Sequence, residues 1–453
     1  MPTSMFSYDE DLTELILGYC RRRLAQDPVS LDFGGAVPGE LDQALSGLIG
    51  TSPHRPEDVL AVFEHTLARA VVSCDSPRFL SFIPAAPTKA SLLFDMVVSC
   101  SSLHGTSWLE AAGAVAAENQ ALAVLADLAG LPAGAGGCFV SGGSMGNLSA
   151  LVVARDTAAR RLGRPMARPR VAISAEAHSS VVHALGIIGV SPLEVPGSDH
   201  RLTGEALARA LDADGAADDV VGVVATAGTT NAGIVDDLLG VGRVAAERSL
   251  WFHVDAAYGG ATIFSPAARS RLAGIELADS FVVDPHKWLF APFDCAALLY
   301  RDPPLAKAVH AQDASYLEAM HPSDEAVFNP SDYAFHLTRR ARGLPLWFSL
   351  AVHGTDAYRA AVEAGLRIAA EAADQVRARP YLELLREPEL SVVLFTRQGW
   401  DRADYERWST TLIRDQVAFV MPTTWEGRPA GRLAFLHPDT TPELVAEILD
   451  TLA

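Results

Sequence analysis

Five short stretches carry side chains that can do chemistry. In V-V-D-P-H-K-W, Lys287 follows Pro285 and His286 directly after an apolar run. A partly buried lysine can give up its proton and attack a carbonyl, although a lysine at such depth also serves simply as one half of a salt bridge. In H-V-D-A-A-Y-G-G, Asp255 closes a second apolar run. A carboxylate there must meet a cation or a strong donor. In S-G-G-S-M-G-N-L, Ser141 to Leu148, glycines precede a helical stretch. Free N–H groups at a helix start can cradle a phosphate. Glycine turns before helices are common, and this one lacks both the lysine of a P-loop and the G-x-G-x-x-G of a dinucleotide turn. E-A-H-S-S-V sets His178 at a helix start, as a flat ring or as a cap. T-A-G-T-T offers Thr229 and Thr230, whose hydroxyls can hold an anion or cap the turn.

The elements that must position these groups follow from the apolar pattern. Cys138 to Val140, Val171 to Ser174, Val220 to Val224, Leu250 to Val254, Phe281 to Val283 and Ala296 to Tyr300 are short apolar runs separated by helical stretches. Val220 to Val224 is almost continuously apolar, as in a strand buried on both faces. Strands alternating with helices predict an α/β fold with a mainly parallel sheet. Ligands then bind beyond the carboxyl ends of the strands. All five stretches sit at such ends. Residues 1–80 read as helices and turns, with Leu12, Leu15, Ile16 and Tyr19 on one helical face, and are too poor in strand signals to form their own α/β unit. Residues 81–345 form the large domain. Residues 346–453 read as a smaller α/β domain, with a helix over Asp356 to Ala378 and strands at Ser391 to Thr396 and Arg432 to Leu436.

Composition removes several classes. Lys+Arg 36 against Asp+Glu 55 gives a net charge of −19, which disfavours nucleic acid and anionic membranes as partners. No run of about 18 apolar residues is present, and the N-terminus lacks the pattern of a signal peptide. The longest apolar region, Ala111 to Leu131, is interrupted by Glu118, Asn119, Gln120 and Asp127. The cysteines Cys20, Cys74, Cys100, Cys138 and Cys295 are scattered without a C-x-x-C pair, so no metal site is expected and a reducing cytoplasm is.

A phosphate cradle, a buried carboxylate, a flat ring and a reactive lysine at the ends of four strands are together what pyridoxal phosphate requires. The chain resembles the group II pyridoxal-phosphate-dependent amino acid decarboxylases, and most of all their aromatic-L-amino-acid branch. The resemblance rests on the order and spacing of the motifs, 77 residues from His178 to Asp255 and 32 more to Lys287, and on D-P-H-K-W followed by F-D-C, Phe293 to Cys295. It implies the fold-type I PLP-dependent transferase fold. It also implies roles: Lys287 holding the cofactor, His286, Gly143 and Ser144 near its phosphate, Thr230 in its site, Asp255 on its ring nitrogen, Ala257 under the ring and His178 stacked above it. A-S-Y-L matches a catalytic loop in which Tyr316 is the proton donor, aided by His178. In relatives that loop reaches into the neighbouring subunit, which implies a homodimer with the N-terminal segment packed across it. R-R-A-R-G-L-P-L-W, Arg339 to Trp347, resembles the family's entry into the small domain.

P-R-F-L-S-F-I-P and T-S-W match segments lining the substrate pocket, which points to Phe79, Phe82, Ile83 and Trp108. Phe82, Ile83, Ala85 and Thr106 depart from the residues of the animal aromatic enzymes, and Met145 replaces an acidic or polar residue of the phosphate turn. The expected reaction is decarboxylation of an aromatic or bulky apolar L-amino acid to its amine and carbon dioxide. The alternatives are decarboxylation with oxidative deamination to an aldehyde, another lyase or transaminase reaction of the same cofactor, or a silent paralogue. Tyr316, a phenylalanine in aldehyde-forming relatives, favours the plain reaction.

Overall fold

The computed structural model describes residues 5–31, 37–84, 86–164, 166–213, 215, 219–312 and 328–453. The apolar runs become strands β1 (Gly136–Val140), β2 (Arg170–Ser174), β3 (Ser191–Val195), β4 (Val220–Thr226), β5 (Trp251–Asp255), β6 (Ser280–Val283) and β7 (Ala296–Tyr300). They form one seven-stranded sheet in the order β1-β7-β6-β5-β4-β2-β3. Every residue of β4, β5, β6 and β7 is buried, which explains why their sequences are apolar without alternation. Each fully buried Phe281 or Val224 side chain contributes about 2 kcal/mol through the hydrophobic effect.

The pairs β2–β3, β2–β4, β4–β5 and β5–β6 are parallel. β7 runs antiparallel between β1 and β6. Its register places Ala296 beside Val140 and Ala297 beside Val283. The carboxyl ends of β1, β2, β4, β5 and β6 therefore share one edge of the sheet, and the helices and turns that leave them meet there.

A second, antiparallel sheet has the order β10-β11-β9-β8, from β8 (Leu382–Leu384), β9 (Val392–Arg397), β10 (Thr423–Trp425) and β11 (Arg428–Ala434). One of its faces packs on the helices Arg402–Arg414 and Pro442–Asp450 through Tyr405, Trp408, Leu412, Val445 and Ile448. The segment around Phe79 joins this sheet across more than 300 residues of chain: Leu80 N–H donates to Phe419 O (2.9 Å), and Ala434 N–H donates to Leu80 O (2.9 Å).

The apolar run interrupted by Glu118 is the helix Trp108–Ala129. Glu118 is buried there because it meets Arg339 at 2.7 Å and also accepts from Gly343 N–H at 2.8 Å. This pair fixes the chain just before the long helix Leu344–Arg377. No helix among the described residues is long and apolar enough to cross a membrane.

Candidate active site

The shared edge holds a cavity of about 380 Å³. All eight residues expected at the cofactor line it: Gly143, Ser144, His178, Thr230, Asp255, Ala257, His286 and Lys287. The elements explain the convergence. Gly143 and Ser144 open the helix Gly143–Leu162, which no side chain caps, so its first N–H groups face the cavity with the helix dipole behind them. Glycine keeps 143 uncrowded, because a Cβ there would lie 3.0 Å from both carboxylate oxygens of Asp284 and 3.2 Å from Ala257 Cβ. His178 caps the helix Ser179–Ile187, accepting at Nδ1 from Ser180 N–H (3.2 Å), while its ring still lines the cavity. The capping and functional readings of this histidine therefore coexist.

Asp255 ends β5 with 5% of its surface exposed. Its Oδ2 accepts from Asn147 Nδ2 (2.9 Å) and its Oδ1 from Ala257 N–H (3.2 Å). Lys287 Nζ lies 3.0 Å from Asp284 Oδ2, so the salt bridge that a lysine at such depth can form is present. Asp284 is almost wholly buried, and its Oδ1 has no hydrogen-bond partner. His286 Nδ1 is held by the backbone N–H and carbonyl of Cys295 (3.1 and 2.7 Å), and Nε2 stands 3.6 Å from Asp284. Burial pushes the His286 imidazole below its ordinary pKa, and the Asp284 carboxylate opposes this. Thr226 Oγ1 is a second buried oxygen without a partner at the cavity wall.

Sequence reasoning missed several of these groups. Asn147 lies one turn beyond Gly143 on the same helix face, so helical spacing alone points it to the site. Thr229 caps the turn, its hydroxyl accepting from Ile234 N–H (3.1 Å), and Thr230 reaches the cavity. The Thr230 carbonyl accepts from Arg432 (2.7 Å), which also donates to the carbonyls of Phe82 and Asn231. Burial pushes Arg432 down to about 10.

The four expected pocket residues are arranged differently. None of Phe79, Phe82, Ile83 and Trp108 lines the cavity that holds Lys287. Ile83 is buried in the core of the large sheet. Phe79 and Phe82 group with Phe419, ring centroids 4.9 and 6.0 Å away. Trp108 opens its helix with its backbone N–H on Asn329 Oδ1 (3.0 Å) and is 40% exposed. Tyr316 and Ala85 lie outside the described residues. A larger cavity, about 550 Å³, opens at the opposite edge of the sheet near Val221, Trp251 and Arg301; the strand ends that carry Lys287 and Asp255 face away from it.

Residues 38–398 match the pyridoxal-dependent decarboxylase conserved domain. The chain belongs to this family. An L-2,4-diaminobutyrate decarboxylase of Rhizobium meliloti is 34% identical over 431 residues, covering 90% of this chain and 85% of the relative. An aromatic-L-amino-acid decarboxylase of Cavia porcellus is 32% identical, covering 82% of this chain and 81% of the relative. In fold, the chain superposes on the Oryza sativa TDC crystallised with PLP and tryptamine with a TM-score of 0.91 at 24% identity, over 100% of this chain and 98% of that one. This decarboxylase is a carboxy-lyase that uses pyridoxal phosphate to decarboxylate an amino acid. Its cavity fits that cofactor: an uncapped helix start and a glycine cradle for the phosphate, a buried carboxylate, and a lysine amine within one space.

Proposed function

We propose that Lys287 carries the cofactor and that the residues around it divide the remaining work. The observation that carries this reading is the convergence of Lys287, Asp255, His178 and the Gly143 turn on one cavity. Bound pyridoxal phosphate supplies an aldehyde for the substrate amine and a ring that takes up the electron pair left when carbon dioxide departs. Lys287 Nζ holds that aldehyde between turnovers. The N–H groups of Gly143 and Ser144, with His286, bind the phosphate, and Thr230 borders it. Asp255 keeps a proton on the ring nitrogen through a charge-assisted bond. The His178 ring and the Ala257 methyl confine the two ring faces. The Tyr316 hydroxyl, aided by His178, delivers the proton to the substrate Cα.

The substrate we favour is an aromatic or bulky apolar L-amino acid. Its support is the naming of several relatives as aromatic-L-amino-acid decarboxylases and the Phe79–Phe82–Phe419 group, whose Phe82 carbonyl shares the Arg432 guanidinium with the Thr230 carbonyl. A second reading, a substrate with a cationic side chain, is favoured by the diaminobutyrate relative and by the carboxylates Asp284 and Asp294 at the cavity wall. We further propose a homodimer in the cytoplasm. The N-terminal helices Glu10–Leu24, Pro38–Leu45 and Pro56–Val62 bury no residue and leave Leu12, Ile16, Leu45 and Val59 exposed, which suits a second subunit. The scattered free cysteines suit a reducing compartment. We propose residues 1–80 as that dimer-packing segment, 81–345 as the cofactor domain and 346–453 as the small domain.

The test is a panel of L-amino acids given to the yellow, cofactor-loaded enzyme while carbon dioxide and oxygen are followed. Carbon dioxide from an aromatic amino acid without oxygen uptake is expected. Oxygen uptake with aldehyde formation, or turnover confined to diamino acids, overturns the reading. Borohydride reduction that leaves Lys287 unmodified overturns its assigned role.

A further inference from the structure

Behind Asp255 runs a chain of buried hydrogen bonds whose direction is set at both ends. Trp251 Nε1, which can only donate, gives its hydrogen to Ser280 Oγ at 2.9 Å. Ser280 Oγ lies 2.8 Å from His253 Nδ1, and His253 Nε2 lies 2.9 Å from Asn147 Oδ1. Asn147 Nδ2 donates to Asp255 Oδ2 at 2.9 Å and to Ser180 Oγ at 3.1 Å. His253, Asn147 and Ser280 are each exposed by 1% or less.

With a neutral His253, only one set of proton positions satisfies this chain. An ionised Asp255 only accepts, so the Asn147 amide must point its nitrogen at it. The Asn147 oxygen must then accept, so His253 carries its hydrogen on Nε2. His253 Nδ1 must in turn accept from the Ser280 hydroxyl. Turning the Asn147 amide over would set its oxygen against the Asp255 carboxylate and its nitrogen against His253 Nε2. A doubly protonated His253 would leave the Ser280 hydroxyl hydrogen without the Nδ1 acceptor this chain gives it and would place a cation in the core. Burial independently pushes the imidazole below its ordinary pKa, although the Asp255 charge opposes this. His253 lies two residues before Asp255 in β5, on the same strand face, and does not line the cofactor cavity.

We propose that His253 is a positioning residue for the decarboxylation: its neutral Nε2–H form locks the Asn147 amide, which keeps Asp255 ionised and aimed at the ring nitrogen. The proposal rests on the role assigned above to Asp255. Without the His253 donor, the Asn147 oxygen is orphaned in the core and the amide loses its preferred orientation. One charge-assisted hydrogen bond to Asp255 is then lost or replaced by a repulsive contact.

The first test is ¹⁵N NMR of the histidine side chains in the cofactor-free, wild-type protein. A neutral His253 with hydrogen on Nε2 at pH 7 is expected; the Nδ1–H form or an imidazolium overturns the proposal. The second test uses His253→Phe, His253→Gln and Asp255→Asn in the cofactor-loaded enzyme. His253→Phe should lower kcat by about 10- to 100-fold, the scale of one hydrogen bond to a charged group. KM should stay within about twofold, and the ratio of the bound cofactor's two visible absorption bands should shift in the same direction as in Asp255→Asn. His253→Gln, which retains an N–H donor, should restore most of kcat and the band ratio. In a double-mutant cycle, His253→Phe should add little to Asp255→Asn. Unchanged kcat and spectrum in His253→Phe, or full additivity with Asp255→Asn, overturns the positioning role. An Asp255→Asn enzyme with unaltered spectrum and rate would instead overturn the role of Asp255 itself. If His253→Phe does not fold, the NMR tautomer and the His253→Gln enzyme still decide.

Discussion

Replacing Asp284 by asparagine separates the two states of the active-site lysine. The two side chains are similar in size, so no cavity is made and only the charge is removed. In the cofactor-free protein, Asp284 Oδ2 stands 3.0 Å from Lys287 Nζ, with 3% of the aspartate and 24% of the lysine side chain exposed. At an effective dielectric of about 20, that separation corresponds to a gross attraction of about 5 kcal/mol. Dehydration of the two charges offsets much of it, and the exposed quarter of Lys287 lets water solvate the ammonium once the carboxylate is gone. A net loss of about 2 kcal/mol in the cofactor-free protein follows. Unfolding entropy of about 2 cal/mol/K per residue over 453 residues makes 1 kcal/mol worth about 1 °C. The cofactor-free Asp284→Asn protein should therefore melt about 2 °C lower. With cofactor bound the order should reverse. On the role proposed for it, Lys287 would then be engaged by the aldehyde, and the carboxylate beside the Gly143 turn would repel the phosphate more than its support of the His286 charge offsets. Calorimetry of both forms, with cofactor affinity measured by titration, checks this. An unchanged or higher melting temperature for the cofactor-free variant would refute the reasoning, as would weaker cofactor binding.

Lys287→Ala should lose all decarboxylation and all borohydride-fixed cofactor while keeping the wild-type circular dichroism spectrum; residual turnover would contradict the lysine's role. Gly146→Ala should destabilise the protein by about 1–3 kcal/mol through overpacking, because its Cβ would sit 2.6 Å from Val282 Cγ2; urea denaturation measures it. Glu118→Gln should cost about 3 kcal/mol, since it strands the Arg339 guanidinium in a site where both side chains are at most 3% exposed. Acid should weaken the fold through His336, pushed down to about 4 chiefly by burial and then by the Arg339 charge. The unfolded chain binds that proton near pH 6.5, so between about 6.5 and 4 it holds more protons than the folded one. Stability then falls as pH falls, by about 3 kcal/mol for this group. His253 acts in the same sense, and Asp236, pushed up to about 7 by burial, acts in the opposite one. Denaturation at pH 7 and pH 4.5 should show a flatter dependence in His336→Gln than in the parent; identical slopes would refute the assignment.

Much of the candidate site's lining was legible from one-dimensional signals because its groups sit where apolar runs stop. A run that ends in Asp255, or in Asp-Pro-His-Lys, already places those side chains at a strand's carboxyl end. The six runs of residues 81–345 that were read as strands all lie in the large sheet, and the two read in the small domain lie in the second one. Edge strand β3 escaped notice because most of its residues face solvent and carry no apolar signature. The direction of β7 was equally hidden. An apolar run buried on both faces reads the same in either direction, so only its pairing between β1 and β6 shows that it is antiparallel.

The residue types and spacing of this chain determined that a lysine, a carboxylate, an imidazole and a glycine turn meet at one sheet edge, because strand ends and helix starts are local properties. Tertiary structure decided their partners. That Lys287 pairs with Asp284, that Glu118 is neutralised by Arg339 across 221 residues, and that Asn147 links Asp255 to His253 all depend on which buried polar groups come within 3 Å of one another. It also decided that Phe79 and Phe82 lie against Phe419, in the segment that leads into β10. Hydrogen bonds and ion pairs in the core act over such distances alone, and no periodicity along the chain encodes them.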